Sequence, residues 1–475
     1  MLLKIIIVST GLILIFLLVI RVLYHQMNYL FAMEQFRLRQ IIYERSEELI
    51  LEKEKTETIL AGYLPKNTAG ELMSKGKATK TKYNFVTVLF SDIQGFTKIA
   101  EEMNPEVLID ELDKFFFTFD SVVEKFRIEK IKTIGDAYMC AGGIPEKNRT
   151  NPVEVILAAL EMRAYMDNLK RSTELEGMKY WDIRIGIHTG TVVAGVVGQK
   201  KLSYDIWGDT VNTASRMESS GEAGKINISG TTYEFVKEFF SCDYRGKMPV
   251  KYKGELEMYF VNGILPELSD ENGNPNSRFI VKMQMLRLED IEEKVLLMFE
   301  TEAASNLHFT NAALIRNICS QADLLARAEK LADEDYVNLK LAAIILLTGY
   351  IDNYFNPVEG SVRYADEILS AHGFSQGNAE VVKKLIRNSF SDNTETIQDK
   401  VLHDSRYDYL GRVDYPLLTS KLRKEISDHG KIFNDEEWTE KQTRFLYDHY
   451  FLTDTARILR NVKVEDQVVT LYAEQ

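Results

Sequence analysis

The N-terminal segment is the only strongly apolar run along the chain. No charged residue occurs from Ile5 to Ile20, and Lys4 and Arg21 flank this run. A membrane-spanning helix needs about 20 predominantly apolar residues, with a lower limit near 17. The run therefore predicts a short transmembrane helix at residues 1–24. A cleaved signal peptide is the alternative, but no cleavage site of the small-x-small type follows the run.

Residues 25–82 are predicted to be a signalling helix and a linker. From Leu30 to Tyr63 the only glycine is Gly62, no proline occurs before Pro65, and the segment is rich in Glu, Arg, Leu and Ile, a pattern typical of one long helix. Its apolar residues approach heptad spacing but charged residues interrupt them, so a coiled coil and a solvated helix remain alternatives. Arginines on this side of the apolar run predict, by the positive-inside rule, a single-pass protein of the cell membrane with the remaining domains in the cytoplasm.

Residues 83–266 alternate between strand-like and helix-like patterns. The continuous apolar run 85–90 has strand length, and 106–126 has apolar residues at helical spacing. Two short apolar runs within 131–140 flank a Gly-Asp turn, which predicts a hairpin. A second helix from 152 and a strand at 182–187 follow. This order predicts an α/β domain.

The last two hundred residues have a different pattern. Residues 267–280 are rich in Asp, Asn, Gly and Pro, which indicates a linker. Residues 281–475 have helical periodicity and predict a separate all-α domain.

Composition narrows the class of protein. Apolar residues make up 45% of the chain and charged residues 27%, which are values of a folded globular protein. The formal net charge of −13 argues against a nucleic-acid partner, because binding the phosphate backbone requires a basic surface. Three distant cysteines form neither a disulfide framework nor a metal-ligand spacing, as expected in a reducing compartment.

Two aspartates are candidate metal ligands. Asp92 follows the 85–90 strand and precedes a Gly95 turn into a helix, where amides can face phosphates and a carboxylate can hold a bridging cation. Asp136 lies in the turn of the predicted hairpin. Each alone is more often a cap or a turn residue. Together, on adjacent strands, they can hold two Mg²⁺ or Mn²⁺ ions for an in-line displacement at phosphorus.

Several motifs in this order resemble the class III nucleotide cyclases, over about Tyr83 to Ile264. They are Phe90-Ser-Asp-Ile-Gln-Gly-Phe-Thr97, Lys130-Ile-Lys-Thr-Ile-Gly-Asp-Ala-Tyr138, Gly186-Ile-His-Thr-Gly190, Val193-Ala-Gly-Val-Val-Gly198 and Tyr204-Asp-Ile-Trp-Gly-Asp-Thr-Val-Asn-Thr-Ala-Ser-Arg-Met217. Several long motifs in sequence are far more specific than a single short one. The resemblance implies a ferredoxin-like α/β core.

The resemblance also implies roles for individual residues. Two divalent cations would be held by Asp92, Asp136 and the backbone carbonyl of Ile93, and the turn with Ile93, Gly95, Phe96 and Thr97 would contact the substrate. Asn212 and Arg216 would position and neutralise the transition state, and Lys253 would bind the terminal phosphates. Tyr252 stands where the family usually has glycine, which makes Lys251 a substitute for Lys253. Thr191 stands where some heterodimeric members have a triphosphate-binding arginine.

Two residues bear on the choice of base. The resemblance implies that Lys132 and Asp205 occupy the positions that hold Lys and Asp in class III cyclases using ATP. Cyclases that use GTP tend to have Glu and Cys at these positions. A lysine can donate to N1 of adenine and an aspartate can accept from its N6 amino group. We therefore predict an adenylate cyclase with ATP as substrate, acting as a homodimer whose sites are shared between chains. A guanylate cyclase and a catalytically silent cyclase-fold receptor or scaffold are the alternatives.

The helical region faintly resembles the HD phosphohydrolase superfamily, through His308 and the segment His403-Asp404. Leu346 and Leu347 stand where the signature His-Asp pair would be, and aliphatic side chains cannot ligate a cation. We therefore expect a degenerate, regulatory domain without hydrolase activity. A plain helical bundle is the alternative.

Overall fold

The strands of the protein form one mixed sheet. The structure is a computed structural model that describes residues 2–175, 181–198, 202–250, 254–391, 393–460 and 464–473. Within these ranges the strands are β1 (Thr81–Ile93), β2 (Glu129–Ile134), β3 (Ala137–Gly142), β4 (Ile183–Val197), β5 (Ser203–Trp207), β6 (Ile226–Ser229), β7 (Phe240–Val250) and β8 (Gly254–Ile264). Their order in the sheet is β2-β3-β1-β4-β6-β8-β7, and β5 pairs with the end of β4.

The helices alternate with the strands first and then follow one another without strands. They are α1 (Leu2–Ala61), α2 (Lys66–Lys75), α3 (Phe96–Glu102), α4 (Pro105–Lys125), α5 (Asn151–Leu175), α6 (Asp209–Ser219), α7 (Gly230–Val236), α8 (Ser277–Thr301), α9 (Ala312–Ala328), α10 (Asp333–Ile345), α11 (Pro357–Ala371), α12 (Gln376–Ser391), α13 (Ile397–Arg406), α14 (Tyr415–Asp428), α15 (Asp435–Asp448), α16 (Asp454–Leu459) and α17 (Val464–Ala473). The α/β core followed by an all-α region confirms the predicted fold class.

The chain divides into two compact units. The smaller unit contains residues 1–82 and 193–208, and the larger contains residues 83–192 and 209–475. In the smaller unit, α1 joins the apolar run and the predicted signalling helix into a single helix. It ends at Ala61, whereas the absence of an earlier proline predicts a helix that ends at Pro65. The next helix, α2, begins directly after Pro65, since proline is tolerated at a helix start but not in its interior. Within the described residues, α1 is the one helix long and apolar enough to cross a membrane.

The core of the α/β region is built around β1. Val86, Val88 and Leu89 are fully buried, as expected of a continuous apolar run in a strand that lies between two others. The predicted hairpin is confirmed, because β2 and β3 pair antiparallel on either side of the Gly135 turn. The apolar positions of α4 pack on this sheet through Phe115 and other buried residues.

One helix connects the α/β core to the helical core. In α8, Phe279 and Met283 are buried among the residues of the α/β core. Further along the same helix, Leu288 and Ile291 are buried in the core of the helical region. A 3-10 turn at Pro266–Leu268 leads into the segment predicted as a linker. That segment contains the start of α8, which Asn276 caps by accepting two backbone N–H groups. The two cores therefore share a continuous, buried helix.

Candidate active site

Asp92 and Asp136 come together at one edge of the sheet. Asp92 is the penultimate residue of β1, and Asp136 lies in the turn that leads into β3. Since β1 and β3 are antiparallel, with Ser91 opposite Tyr138, the end of one strand lies beside the start of the other. The backbone N–H of Ile93 donates to Oδ2 of Asp136 at 3.3 Å. The structure thus juxtaposes the two aspartates that the sequence singles out.

The two carboxylates repel each other. Burial and the neighbouring Asp92 together raise the pKa of Asp136 to about 6. Backbone N–H groups, among them that of Ile93, act to lower this pKa but offset the rise only in part. Asp136 thus lies beside a like charge and has few hydrogen-bond donors. A cation bound at this position would stabilise its charged form.

Two further residues at this site were missed by the sequence analysis. Arg184, on β4, donates through Nη2 to Oδ2 of Asp92 at 2.7 Å, and the same Nη2 lies 2.9 Å from Oε1 of Glu218. Glu218, near the end of α6, is buried. Burial raises its pKa to about 7, with Arg184 opposing and the two aspartates reinforcing the shift. An arginine within a buried strand was the available signal, because a buried charge requires a partner.

The donor set fits Mg²⁺ or Mn²⁺. In the part of the chain that the structure describes, no three His, Cys, Asp or Glu side chains form a metal cluster. Mg²⁺ is typically bound by one or two carboxylates together with substrate phosphates, rather than by a full protein cage. Asp92 and Asp136 therefore provide the number of carboxylates that such a site requires.

The turn after β1 presents backbone amides. Gly95 has a left-handed conformation with φ of 74°, which glycine adopts without strain, and it opens α3. Gln94, Gly95 and Thr97 are exposed, and Phe96 is half-buried. The first amides of a helix have no partner within it, so this turn can contact phosphate oxygens.

Asn212 and Arg216 lie four residues apart on α6 and so share one face of the helix. Both side chains are exposed, whereas Thr213, Met217 and Glu218 are buried on the opposite face. The pair predicted to act on the transition state thus faces outward from its own unit.

Lys132 and Asp205 lie in different units. Lys132 is half-buried on β2, next to an irregularity in the pairing with β3. Asp205, on β5 opposite Gly195, accepts the backbone N–H of Ile206 at 2.9 Å. Lys253, Lys251 and Tyr252 lie outside the described residues.

His308 and Asp404 of the helical region each contact a different partner. His308 Nε2 lies 2.7 Å from Oδ2 of Asp428. Asp404 accepts backbone N–H groups from Leu452 and Thr453 and the hydroxyl of Thr453, all within 2.9 Å. These contacts occupy both of its oxygens and hold the segment that begins α16.

Leu346 and Leu347, at the position of the expected His-Asp pair, are buried in the helical core. Apolar side chains therefore occupy the positions at which a metal site would need ligands.

Comparisons with known proteins identify the family of the α/β part of the chain. The model of the adenylate and guanylate cyclase catalytic domain matches residues 78–263. Receptor-type guanylate cyclase gcy-28 of Caenorhabditis elegans is 36% identical over 253 residues, which are 51% of this chain and 20% of that protein. The chain thus spans about a fifth of the length of this curated relative.

Two solved structures of cyclases also match part of the chain. The guanylate cyclase domain of RhGC from Catenaria anguillulae, in complex with GTP, is 36% identical, with 39% of this chain and 100% of that chain covered and a TM-score of 0.37. The adenylyl cyclase CyaB from P. aeruginosa is 31% identical, with 40% and 100% covered and a TM-score of 0.38. Through residues 78–263, the chain belongs to the adenylate and guanylate cyclase family.

Proposed function

We propose that this protein is an adenylate cyclase, which converts ATP to 3′,5′-cyclic AMP and pyrophosphate with Mg²⁺ or Mn²⁺. The observation that carries the proposal is the convergence of Asp92 and Asp136 at the end of β1, within a domain of the cyclase family. The ribose 3′-oxygen forms a bond to the α-phosphorus, and the bond to the pyrophosphate oxygen breaks.

The residues of the chain position the substrate and neutralise its charge. Asp92, Asp136 and the Ile93 carbonyl would hold two cations, which when bound neutralise charge on the phosphates and polarise the reacting oxygens. The turn at Gly95 orients the phosphates, and Lys253 holds the terminal ones. Asn212 and Arg216 orient the ribose and offset the negative charge that develops on the transferring phosphoryl group.

ATP is proposed over GTP because of Lys132 and Asp205. Lysine donates to N1 of adenine and aspartate accepts from N6, whereas guanine presents the opposite polarity at both positions. The second candidate is a guanylate cyclase, which the names of the relatives favour, since gcy-28 and the RhGC domain are guanylate cyclases.

The test of the substrate uses the purified full-length chain with Mn²⁺ and either ATP or GTP. We expect cyclic AMP formation to dominate. In the double variant Lys132→Glu/Asp205→Cys, the polar groups of adenine would be left unpaired. Activity on ATP should therefore fall, by up to about 10⁴-fold, and some activity on GTP should appear. If the double variant uses ATP as well as the parent does, these residues do not select the base. A parent that is inactive on both nucleotides would support the silent scaffold instead.

We further propose that the chain acts as a homodimer with two composite sites. The outward-facing Asn212 and Arg216 support this, because they are available to a second chain. One chain would supply the metal aspartates of a site, and its partner would supply Lys132, Asp205, Asn212 and Arg216. A single chain carries both sets, so a symmetric dimer would have two equal sites.

Complementation tests the composite site. Asp92→Ala and Arg216→Ala are each expected to be inactive alone. Co-expressed with random exchange, half of the dimers are mixed and each has one intact site, so activity recovers to roughly a quarter of wild type. Absence of recovery, despite mixed dimers demonstrated by differential tags, would contradict site sharing and leave the proposed reaction standing.

The remaining proposals concern location and regulation. The exposed apolar residues of α1 support a single membrane anchor, with the catalytic and helical regions in the cytoplasm. The shared helix α8 supports a regulatory role for residues 281–475, because a rearrangement of the helical core would displace a helix buried in the catalytic core.

A further inference from the structure

A single guanidinium lies between a metal-binding candidate and the helix that carries Asn212 and Arg216. Nη2 of Arg184 contacts Oδ2 of Asp92 at 2.7 Å and lies 2.9 Å from Oε1 of Glu218. About a quarter of the Arg184 and Asp92 side chains is exposed, and about a tenth of the Glu218 side chain. Because solvent is partly excluded here, the electrostatic interaction between two charges is stronger than it is at the surface.

Glu218 is a fixed anchor. A Cβ atom on Gly186 would lie 1.8 Å from the backbone nitrogen of Glu218, so the end of α6 packs directly on the backbone of β4. The side-chain amide of Asn227 also donates to the carbonyl of Met217 at 2.7 Å. Asp92, by contrast, stands at the end of β1, beside the exposed turn at Gln94 and Gly95.

The hydrogen bonding of this group is incomplete. Nε of Arg184 is buried without a hydrogen-bond partner, and Oε1 of Glu218 is close to Nη2 but is not aligned to accept a hydrogen bond. Buried polar atoms are almost always satisfied, so an exception calls for an explanation. A guanidinium that exchanges between two carboxylates provides one.

The charges support the same exchange. Asp92, Asp136 and Glu218 carry three negative charges when ionised, and Arg184 carries one positive charge. The remainder is two negative charges, which one divalent cation balances. Arg184 thus places a positive charge against the carboxylate that a cation would contact.

We propose that Arg184 is a placeholder for the catalytic cation: it pairs with both Asp92 and Glu218 when the site lacks a cation, and with Glu218 alone when a cation binds. The proposal rests on the proposed function, which makes Asp92 a metal ligand. Arg184 is therefore a positioning residue. It also connects occupancy of the metal site to α6, because its second partner lies two residues after Arg216.

The exchange predicts opposite effects on cation affinity for two substitutions. Mn²⁺ binding to the full-length, nucleotide-free chain in detergent is measured by electron paramagnetic resonance of free Mn²⁺. Arg184→Met removes the competing charge and should tighten Mn²⁺ binding by about ten-fold. Glu218→Gln leaves Arg184 on Asp92 and should weaken binding by about ten-fold. In the Arg184→Met background, Glu218→Gln should have an effect of less than about three-fold.

Catalysis separates this role from simple packing. Arg184→Met should lower kcat although it binds Mn²⁺ more tightly, because Asp92 is no longer connected to α6. Arg184→Lys keeps the charge and should retain Mn²⁺ affinity within about three-fold. If Arg184→Met does not fold, the Mn²⁺ affinity of Glu218→Gln is compared with that of Arg184→Lys instead.

Matched controls remove the same charges elsewhere. Lys237→Met and Glu234→Gln act on an exposed ion pair of α7 and should leave Mn²⁺ affinity unchanged. If Arg184→Met weakens Mn²⁺ binding, or Glu218→Gln leaves it unchanged, while the parent still forms cyclic nucleotide, the exchange is wrong and the proposed function stands. If the parent neither binds Mn²⁺ nor cyclises ATP or GTP, both are wrong.

Discussion

Asp136 in the catalytic domain is half-buried and Asp404 in the helical region is fully buried, and their pKa values shift in opposite directions. Asp136 accepts one long hydrogen bond and faces Asp92, so burial and a like charge raise its pKa to about 6. Burial also acts to raise the pKa of Asp404, but His403 and the donors of Leu452 and Thr453 outweigh it and lower the pKa. Asp136 therefore has few hydrogen-bond donors around it, whereas both oxygens of Asp404 accept hydrogen bonds.

Under the proposed function, the difference separates a metal-binding carboxylate from a structural one. Fully satisfied buried polar groups rigidify a fold, whereas poorly satisfied ones cost stability and occur where function requires them. The proposal therefore assigns different roles to the two aspartates. Each prediction below tests that contrast.

The largest expected effect is on catalysis. Asp136→Asn should lower cyclase activity by at least about a thousand-fold, because a neutral amide cannot balance the charge of a divalent cation. Its melting temperature without metal should equal or exceed that of the parent, since repulsion with Asp92 is removed. Activity assays and thermal unfolding of one preparation measure both, and the exposed Asp110→Asn on α4 is the control. An active Asp136→Asn enzyme would contradict a metal role.

The second prediction concerns stability. Asp404→Asn should lower the free energy of unfolding by about 3 kcal/mol, because an amide NH₂ would face donors that now meet a buried carboxylate oxygen. Activity per folded molecule should change by less than about two-fold, as Asp404 would have no catalytic part. Denaturant unfolding measures the loss, and the neighbouring, exposed Asp454→Asn is the control. Equal stability of the two variants would argue against a structural role.

The third prediction is a pH dependence. Because the pKa of Asp136 is raised, its contribution to stability is present below the ordinary value of 3.8 and is lost as the pH rises through about 6. The lowered pKa of Asp404 acts in the opposite sense, with stability present above 3.8 and lost as the pH falls. Without metal, the gain in melting temperature from Asp136→Asn should therefore grow from pH 5 to pH 7. Excess Mn²⁺ should reverse it; a gain independent of pH would contradict the assignment.

The smallest effect is expected where the two regions meet. Nη2 of Arg287 on α8 lies 3.2 Å from Oε1 of Glu154 on α5, and Glu154 is largely buried. Arg287→Met should lower stability by about 1–3 kcal/mol by leaving that carboxylate unpaired, and change kcat by a few-fold. Arg316→Met, in an exposed pair with Glu300, is the matched control. Unchanged stability and kcat would indicate that the junction does not couple the regions.

Much of this protein follows from patterns along the chain. The order of strand, helix and hairpin, the aspartates at a strand end and in a turn, and the helical character of the last two hundred residues are local properties. Apolar residues at helical spacing, a Gly-Asp turn and an apolar run of strand length are each set by neighbouring residues. The same locality explains why the end of the long helix ahead of Pro65 could be predicted from the sequence to within a few residues.

Only the tertiary structure decided what surrounds the aspartates. Arg184 lies 92 residues from Asp92 along the chain, and Glu218 belongs to another element, so no spacing rule connects them. Likewise, residues that read as a linker proved to contain the start of a helix buried in two cores. Asp136 and Asp404 are the same residue type, and the donors that distinguish them come from distant segments. The sequence supplies the charges, but their pairing is set by packing, which depends on the whole fold.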